Sequence, residues 1–295
     1  RNFTIYDATD QMTLVKDCLK QMNLDDKQFP PRSVLGTISS AKNALMDAHE
    51  FAGRTSDFYE EKVAEAYTLY EKKLLENNAM DFDDLLRLAV RLLKEYEDVR
   101  EKYQERFQYI LVDEYQDTNH AQYTLTRLLA AKWRNICVVG DADQSIYAWR
   151  GADIRNIMDF TRDYPDAASI KLEQNYRSTK TILHAANAVI DNNESHPQKK
   201  LWTENPTGNK IIHYHAQTEH DEADYVAGVI YNRHGIGKEP YGNMAILFRT
   251  NSQSRVLEEK LMRYAIPYTM VGGTKFYDRK EIKDVIAYLR LLYNP

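Results

Sequence analysis

The stretch Asp113–Asp117, which reads Asp-Glu-Tyr-Gln-Asp, directly follows the apolar run Phe107–Val112. That run has the length and the β-branched and aromatic content of a buried strand. Two adjacent carboxylates at the carboxyl end of such a strand lie where α/β sheets bind ligands. In a nucleotide hydrolase, Asp113 would hold Mg²⁺, directly or through water, and Glu114 would orient or deprotonate the attacking water. The stretch therefore predicts a nucleotide site at a sheet edge.

The loop that usually cradles the phosphates in such a site is not found in the sequence. No segment reads Gly-x-x-x-x-Gly-Lys-[Ser/Thr]. Gly235–Lys238 is followed by Glu-Pro, with no hydroxyl for Mg²⁺, and Gly272–Lys275 has the wrong order. The chain also begins at Arg1 rather than at a methionine. We therefore expect an internal piece of a longer protein, which on its own would not turn over ATP.

The length, composition and charge of the chain limit the classes of protein to which it can belong. The 295 residues have room for about two domains, and 43% hydrophobic with 28% charged residues is ordinary for a globular protein. The net charge of −5 argues against a protein coated in nucleic acid, but it permits a narrow track lined by arginine and aromatic groups. Cys18 and Cys137 lie in apolar patterns, so we expect buried thiols and a reducing cytoplasm.

The periodicity of apolar residues changes along the chain near Phe107. Residues 1–106 show helical spacing, whereas the following residues alternate between strand and helix patterns, which is typical of parallel sheets covered by helices. The predicted strands are 107–112, 136–139, 169–172, 211–215, 244–248 and 268–271. The predicted helices after residue 107 are 119–131, 181–190, 219–232 and 252–265.

A second motif follows the short strand that ends at Val139. Gly140–Ala152 contains Gln144, a neutral amide that can contact a phosphate or a water at a strand end. Its two aromatic residues and one guanidinium form a natural platform for stacking nucleic-acid bases. These three residues are Tyr147, Trp149 and Arg150. The alternative is that Trp149 packs in a core and Arg150 forms a surface ion pair.

A third motif, Gln174–Ser178, lies at the junction of a predicted strand and helix. Arg177 can act there as an arginine finger on a γ-phosphate, and Tyr176 can stack on a purine. An arginine before a helix is also a common ion-pairing residue.

Two other groups of residues have simpler explanations. Asp81, Asp83 and Asp84 resemble a catalytic cluster, but acidic residues in a first helical turn complement the helix dipole. His213 and His215, with His220 nearby, have no cysteine partner and no tight ligand spacing, so we predict no zinc site.

Taken together and in this order, the three motifs resemble those of the UvrD-like superfamily 1 DNA helicases. Further likeness lies in Phe248–Arg255 and Gly273–Asp284, so the resemblance covers essentially the whole chain. It implies an α/β fold with parts of two RecA-like parallel-sheet motor domains plus a helical insertion domain. ATP would bind between the motor domains and single-stranded DNA would cross their top.

The resemblance also implies a role for each matching residue. Asp113 resembles the Mg²⁺-associated carboxylate, Glu114 the general base and Gln144 the γ-phosphate sensor that links ATP to DNA. Tyr176 and Arg177 resemble the nucleotide-stacking tyrosine and the arginine finger. The DNA contacts would come from Tyr147, Trp149 and Arg150 in the first motor domain and from Arg249 and Asn251 in the second.

The implied domains are a helical insertion over 1–107, parts of the two motor domains over 108–173 and 174–270, and the start of a second insertion over 271–295. The implied activity is that of an ATP-dependent helicase that moves 3′ to 5′ on single-stranded DNA, with ATP and Mg²⁺ as cofactors. Its partners would be single-stranded DNA, single/double-strand junctions and the missing N- and C-terminal segments of the same helicase. The alternatives are a truncated, non-enzymatic DNA-binding paralogue and, more distantly, a nuclease-associated helicase.

Overall fold

The computed structural model describes residues 3–148, 151–193, 199–271 and 285. The chain divides into two compact units. The first contains the described residues up to Asn175 together with Ala186–Leu201, and the second contains Tyr176–Ala185 and the described residues from Trp202 onward. No helix in the described residues is both long enough and apolar enough to cross a membrane.

Helices dominate the beginning of the first unit. They are α1 (Ala8–Gln21), α2 (Pro31–Asn43), α3 (Ala48–Ala52), α4 (Phe58–Glu76), α5 (Phe82–Glu95) and α6 (Glu97–Arg106). In four of them an aspartate at the N-cap accepts hydrogen bonds from backbone N–H groups of the first turn, which otherwise have no helical partner. These caps are Asp7, Asp47, Asp57 and Asp81. Asp83 and Asp84 occupy the first turn of α5, the position that the dipole explanation requires, but Asp84 also pairs with Lys42.

Apolar faces of α1, α2 and α4 form the main core. Val15, Val34 and Tyr67 are among its fully buried side chains, and Phe29 stacks on Tyr59 with ring centroids 5.3 Å apart. Each fully buried aliphatic side chain contributes roughly 1.5–3 kcal/mol to folding. This core explains why the helical spacing in the sequence was so regular.

A small parallel sheet lies inside this helical region. β1 (Thr4–Tyr6) pairs with β2 (Ala79–Asp81), with Thr4 opposite Ala79. The all-helical prediction for residues 1–106 missed both strands. Three residues are too few to produce a recognisable alternation of apolar and polar side chains, so periodicity cannot reveal such strands.

Five charged side chains from α2, α4 and the start of α5 form a cluster, which we call the buried charge cluster. Its members are Lys42, Glu71, Asp81, Asp84 and Arg87. The Lys42 ammonium is fully buried and lies 2.7–2.9 Å from oxygens of Glu71, Asp81 and Asp84. Burial lowers the pKa of Lys42, but the three carboxylates outweigh it and hold the pKa above its usual value. Arg87 completes the cluster by pairing with Glu71 and Asp84.

The second sheet of the first unit carries the motif that follows Val112. β3 (Ile110–Val112) and β4 (Ile136–Val138) pair in parallel, with Ile110 opposite Ile136, and α7 (His120–Ala130) joins them. The two predicted strands and the helix between them are confirmed, although β3 is shorter than predicted. Two short helices follow, α8 (Arg155–Met158) and α9 (Phe160–Asp163).

The remaining helices are α10 (Lys180–Ile190), α11 (Glu219–Gly235) and α12 (Ser254–Arg263). All three were predicted to within a few residues. In the second unit, α11 packs against α12 around a small core of Ala227, Leu261 and Ile266. This core is much smaller than that of the first unit.

The predictions of strands at 169–172, 211–215, 244–248 and 268–271 are wrong, since none of these segments forms a strand in the structure. Their apolar side chains are instead largely exposed: Ile170, Ile212, Leu247 and Val271 are each at least 72% exposed. Strand propensity depends on pairing and on burial against neighbours. Within the described residues these segments have no strand to pair with.

The prediction for the cysteines was half correct. Cys18 is buried in the main core, and burial raises the pKa of its thiol to about 11. Cys137 is exposed, which corrects the prediction that it is buried. It lies opposite Leu111 in the sheet, and Leu111 is itself 79% exposed. The described residues therefore leave this face of the β3–β4 sheet uncovered.

Candidate functional site

The loop after β3 presents two adjacent carboxylates at the sheet edge. Asp113 and Glu114 are both exposed, and the backbone N–H of Glu114 donates to Asp113 Oδ1 at 2.9 Å. Glu114 adopts the left-handed conformation, with φ of 51° and ψ of 42°. Such a backbone costs a non-glycine residue about 1–2 kcal/mol and is often found at functional sites. The sharp turn directs the chain away from the strand immediately after the carboxylates.

Buried Gln116 connects this loop to the end of β4. Its Nε2 donates to Glu114 Oε2 at 2.8 Å, and its Oε1 accepts the backbone N–H of Asp141 at 2.9 Å. Gly140 permits this approach, because a Cβ at that position would lie only 2.6 Å from Gln116 Oε1. The two motifs are therefore joined by one side-chain amide. The sequence contained Gln116 within its most informative stretch but gave no signal of this role.

Further hydrogen bonds hold the same loop against its surroundings. The Tyr115 N–H donates to the Val139 carbonyl at 3.0 Å, and the Tyr115 ring is fully buried. The Thr118 carbonyl accepts from the Asp153 N–H at 3.0 Å and from Asn156 Nδ2 at 2.9 Å. The loop is thus anchored by several hydrogen bonds in the residues directly after the exposed pair.

Gln144 ends a short 3-10 turn, Ala142–Gln144, that follows β4. Its Nε2 donates to Asp141 Oδ2 at 2.9 Å. Lys199 forms ion pairs with Asp141 and, at 3.2 Å, with Asp143. The sequence suggested no role for Lys199, because two lysines in a row are too short a basic patch. The structure makes it a cationic neighbour of the segment that carries Gln144.

The electrostatics of the loop suit a divalent cation. Burial and the nearby charge of Glu114 raise the pKa of the Asp117 carboxyl, and Asp117 Oδ1 has no hydrogen-bond partner among the described residues. In the described part of the chain, no three His, Cys, Asp or Glu side chains form a metal-binding group. The exposed pair of carboxylates at the strand end fits Mg²⁺, because Mg²⁺ keeps several waters and takes one or two carboxylates plus substrate phosphates.

The residues predicted to contact nucleic acid divide between the two units. Tyr147 in the first unit is 36% exposed. Trp149 and Arg150 lie outside the described residues, as does the predicted motif at 273–284. Arg249 and Asn251 lie in the second unit and are exposed. The backbone N–H of Arg249 donates to Gln253 Oε1 at 3.0 Å, which fixes the start of the turn.

The residues predicted to face the nucleotide from the second unit are also at the surface. Arg177 is exposed, and Tyr176 is 78% exposed. Asn205 Nδ2 donates to the carbonyls of Tyr176 and Ser178 at 3.2 and 3.1 Å, which holds the backbone of this segment. An exposed aromatic ring on a fixed backbone is suited to stacking on a base.

A short chain of side-chain amides links the helical region to the loop, and the sequence did not indicate it. Asn43, beside Lys42 on α2, donates to Asp83 at 3.1 Å. Asn119, which caps α7 directly after the carboxylate loop, donates to Asn43 Oδ1 at 2.6 Å. Asn43 on α2 therefore connects the first turn of α5 to the N-cap of α7.

Comparison with known proteins identifies the family of the chain. Residues 1–165 match the model of the UvrD/REP helicase N-terminal domain, and residues 170–295 match that of the UvrD-like helicase C-terminal domain. The ATP-dependent DNA helicase PcrA of Bacillus subtilis is 56% identical over 295 residues, and PcrA of Staphylococcus aureus is 56% identical over 294. In both cases the whole chain is covered, but it spans only 40% of the relative's length.

Proposed function

Because this chain belongs to the UvrD/REP helicase family, we propose that it is part of an ATP-dependent DNA helicase that moves 3′ to 5′ on single-stranded DNA and unwinds duplex in the cytoplasm. One observation carries this proposal. The side chains of Glu114 and Gln144 stand at the ends of two paired parallel strands, and Gln116 and Asp141 connect them by hydrogen bonds. Such a link suits a site in which hydrolysis and DNA binding are coupled.

Each polar residue at the sheet edge has a proposed chemical role. Asp113 would associate with Mg²⁺, which when bound would neutralise charge on the phosphates. Glu114 would take the proton of the attacking water, since it is exposed and is held by a hydrogen bond from Gln116. Gln144 would contact the γ-phosphate, while Tyr176 and Arg177 would stack on the base and stabilise charge that develops in the transition state.

The proposed DNA contacts come from aromatic and cationic side chains. Tyr147, Trp149 and Arg150 follow Gln144 within six positions, so a shift of this segment would move the amide and the stacking groups together. Arg249 and Asn251 would contact the strand from the second unit. Stacking of bases on such aromatic side chains is worth about 1–3 kcal/mol for each base.

The rest of the motor would come from other segments of a longer protein. The chain contains no phosphate loop in its sequence, and the relatives are more than twice as long. The exposed apolar side chains Leu111, Ile170 and Leu247 support this proposal, because such surfaces are normally covered. In this arrangement the two described units would be parts of two motor domains, 1–107 would be the helical insertion of the first, and 271–295 would begin a second insertion.

A strand-displacement assay tests the proposed activity and its direction. The full-length protein, ATP and Mg²⁺ are mixed with duplexes that carry a single-stranded tail at either the 3′ or the 5′ end. We expect unwinding of the 3′-tailed duplex only. The Gln144→Ala variant should bind the same DNA, but DNA should stimulate its ATP hydrolysis poorly.

Unwinding of only the 5′-tailed duplex would contradict the direction. Tight single-strand binding with no ATP hydrolysis would favour the non-enzymatic paralogue instead.

A further inference from the structure

Gln116 is a buried polar residue that the proposed chemistry uses only as a link between the two strand ends. Its side chain is 1% exposed, and both ends of its amide are occupied. One end donates to the carboxylate of Glu114 and the other accepts from the backbone of Asp141. A buried amide in a loop is costly unless it is satisfied, so its presence between two motifs requires an explanation.

The orientation of this amide is determined by its partners. A backbone N–H can only donate, so the side chain must present its carbonyl oxygen to Asp141. The NH₂ group then necessarily faces Glu114, whose ionised carboxylate can only accept. A hydrogen bond to a charged acceptor is roughly twice as strong as one between neutral groups. No other uncharged side chain of this length combines a donor and an acceptor in this way.

Gln116 also holds Glu114 at a point where the backbone is strained. Glu114 has a left-handed φ of 51° and is exposed, and the Gln116 contact restrains one of its carboxylate oxygens. The opposite end of Gln116 accepts from the backbone of Asp141, beside Gly140, where any side chain would collide with Gln116 Oε1. The direction of the carboxylate is therefore tied to the position of the segment that carries Gln144.

We infer that Gln116 is a positioning residue that orients the Glu114 carboxylate toward the attacking water. The same side chain couples the orientation of that carboxylate to the position of the Gly140–Gln144 segment. The inference rests on the proposed function of Glu114 as general base. It predicts that loss of the Gln116 amide slows the chemical step without weakening nucleotide binding. A misplaced catalytic group can cost about 10²-fold in rate.

The test is steady-state ATP hydrolysis by the full-length protein with saturating single-stranded DNA. Gln116→Met keeps the length of the side chain and removes both hydrogen bonds. Gln116→Glu keeps an acceptor for Asp141 and replaces the donor to Glu114. Gln104→Met is the matched control, because Gln104 is also a buried amide, and its Nε2 donates to the Leu128 carbonyl at 2.7 Å, away from the loop. Glu114→Gln is measured alongside.

We expect both Gln116 variants to lower kcat by about 10²-fold with KM for ATP changed less than about threefold, as expected for misplacement of a catalytic group. Gln104→Met should keep the wild-type kcat. If Gln116→Met does not fold, the same criterion applies to Gln116→Glu. Provided that Glu114→Gln is inactive, two results would overturn the inference. One is a wild-type kcat in a Gln116 variant, and the other is an equal loss of kcat in the Gln116 and Gln104 variants. Wild-type protein that does not hydrolyse ATP would overturn the proposed function and the inference with it.

Discussion

Replacement of Lys42 by methionine tests the buried charge cluster. Methionine keeps the approximate length of the side chain and removes the ammonium. In the structure that ammonium is fully buried and lies 2.7, 2.8 and 2.9 Å from oxygens of Glu71, Asp81 and Asp84. The substitution would leave three carboxylates close together, with only Arg87 to compensate two of them.

The expected cost follows from the burial of these charges. Removal of one partner from a buried ion pair typically costs about 3–5 kcal/mol, since the remaining charge has no compensation. Lys62→Met is the matched control, because Lys62 also lies 2.7 Å from a carboxylate, that of Glu65, but at the surface. An exposed pair of this kind contributes about 1 kcal/mol or less. The two lysines lie at similar distances from carboxylates but differ in burial, so the two substitutions should lower the free energy of unfolding by different amounts.

Urea denaturation of the chain, followed by circular dichroism, measures the difference. With a slope of about 2 kcal/mol per molar urea, a loss of 3–5 kcal/mol moves the midpoint of the first unit by about 1.5–2.5 M. Addition of Asp81→Asn to Lys42→Met should recover part of the loss, because it removes one of the stranded carboxylates. Equal midpoints for Lys42→Met and Lys62→Met would refute the argument from burial.

Three further results are expected. The isolated chain should hydrolyse ATP no faster than its Glu114→Gln variant in a DNA-stimulated phosphate-release assay. Robust ATP turnover that the substitution abolishes would contradict the proposal that hydrolysis needs other segments of a longer protein. Trp149→Ala in the full-length protein should weaken single-strand binding in a fluorescence titration by about 1–3 kcal/mol, whereas unfolding of the variant would favour a core position for Trp149. The free energy of unfolding should fall as pH rises above about 10, by about 1.4 kcal/mol per pH unit for each of Tyr70 and Lys42. Burial raises the pKa of Tyr70, and the carboxylate partners of Lys42 raise the pKa of Lys42. The unfolded chain therefore loses these protons at a lower pH than the folded chain. Urea titrations at several pH values measure this slope, which Tyr70→Phe should reduce and exposed Tyr109→Phe should leave unchanged.

Elements with a strong local signal could be predicted from the sequence. The long amphipathic helices, the two strands of the β3–β4 sheet and the carboxylates that follow β3 were all recognised, because periodicity and strand-end position are local properties. The same signal failed at 211–215 and 244–248. There the apolar residues typical of a strand are present, but the described residues supply no strand to pair with, and Ile212 and Leu247 remain exposed.

Contacts between distant parts of the chain could not be predicted. The buried charge cluster joins Lys42 to Asp81, 39 positions away, and Gln116 meets Asp141, 25 positions away. A single sequence shows only that charged and amide residues are present, not which of them become neighbours. The roles of Gln116 and Lys199 therefore emerged only from the fold, although Gln116 lies inside the motif that was most informative.

The role proposed for Glu114 is that of the general base of an ATP-driven motor. Its most direct test is single-turnover hydrolysis of ATP by the full-length protein and by its Glu114→Gln variant, both bound to single-stranded DNA. We predict that the variant binds ATP and DNA like the wild type and hydrolyses the bound ATP at least about 10²-fold more slowly, as expected when a general base is lost. A variant that loses ATP binding but hydrolyses whatever ATP it binds at the wild-type rate would contradict the claim.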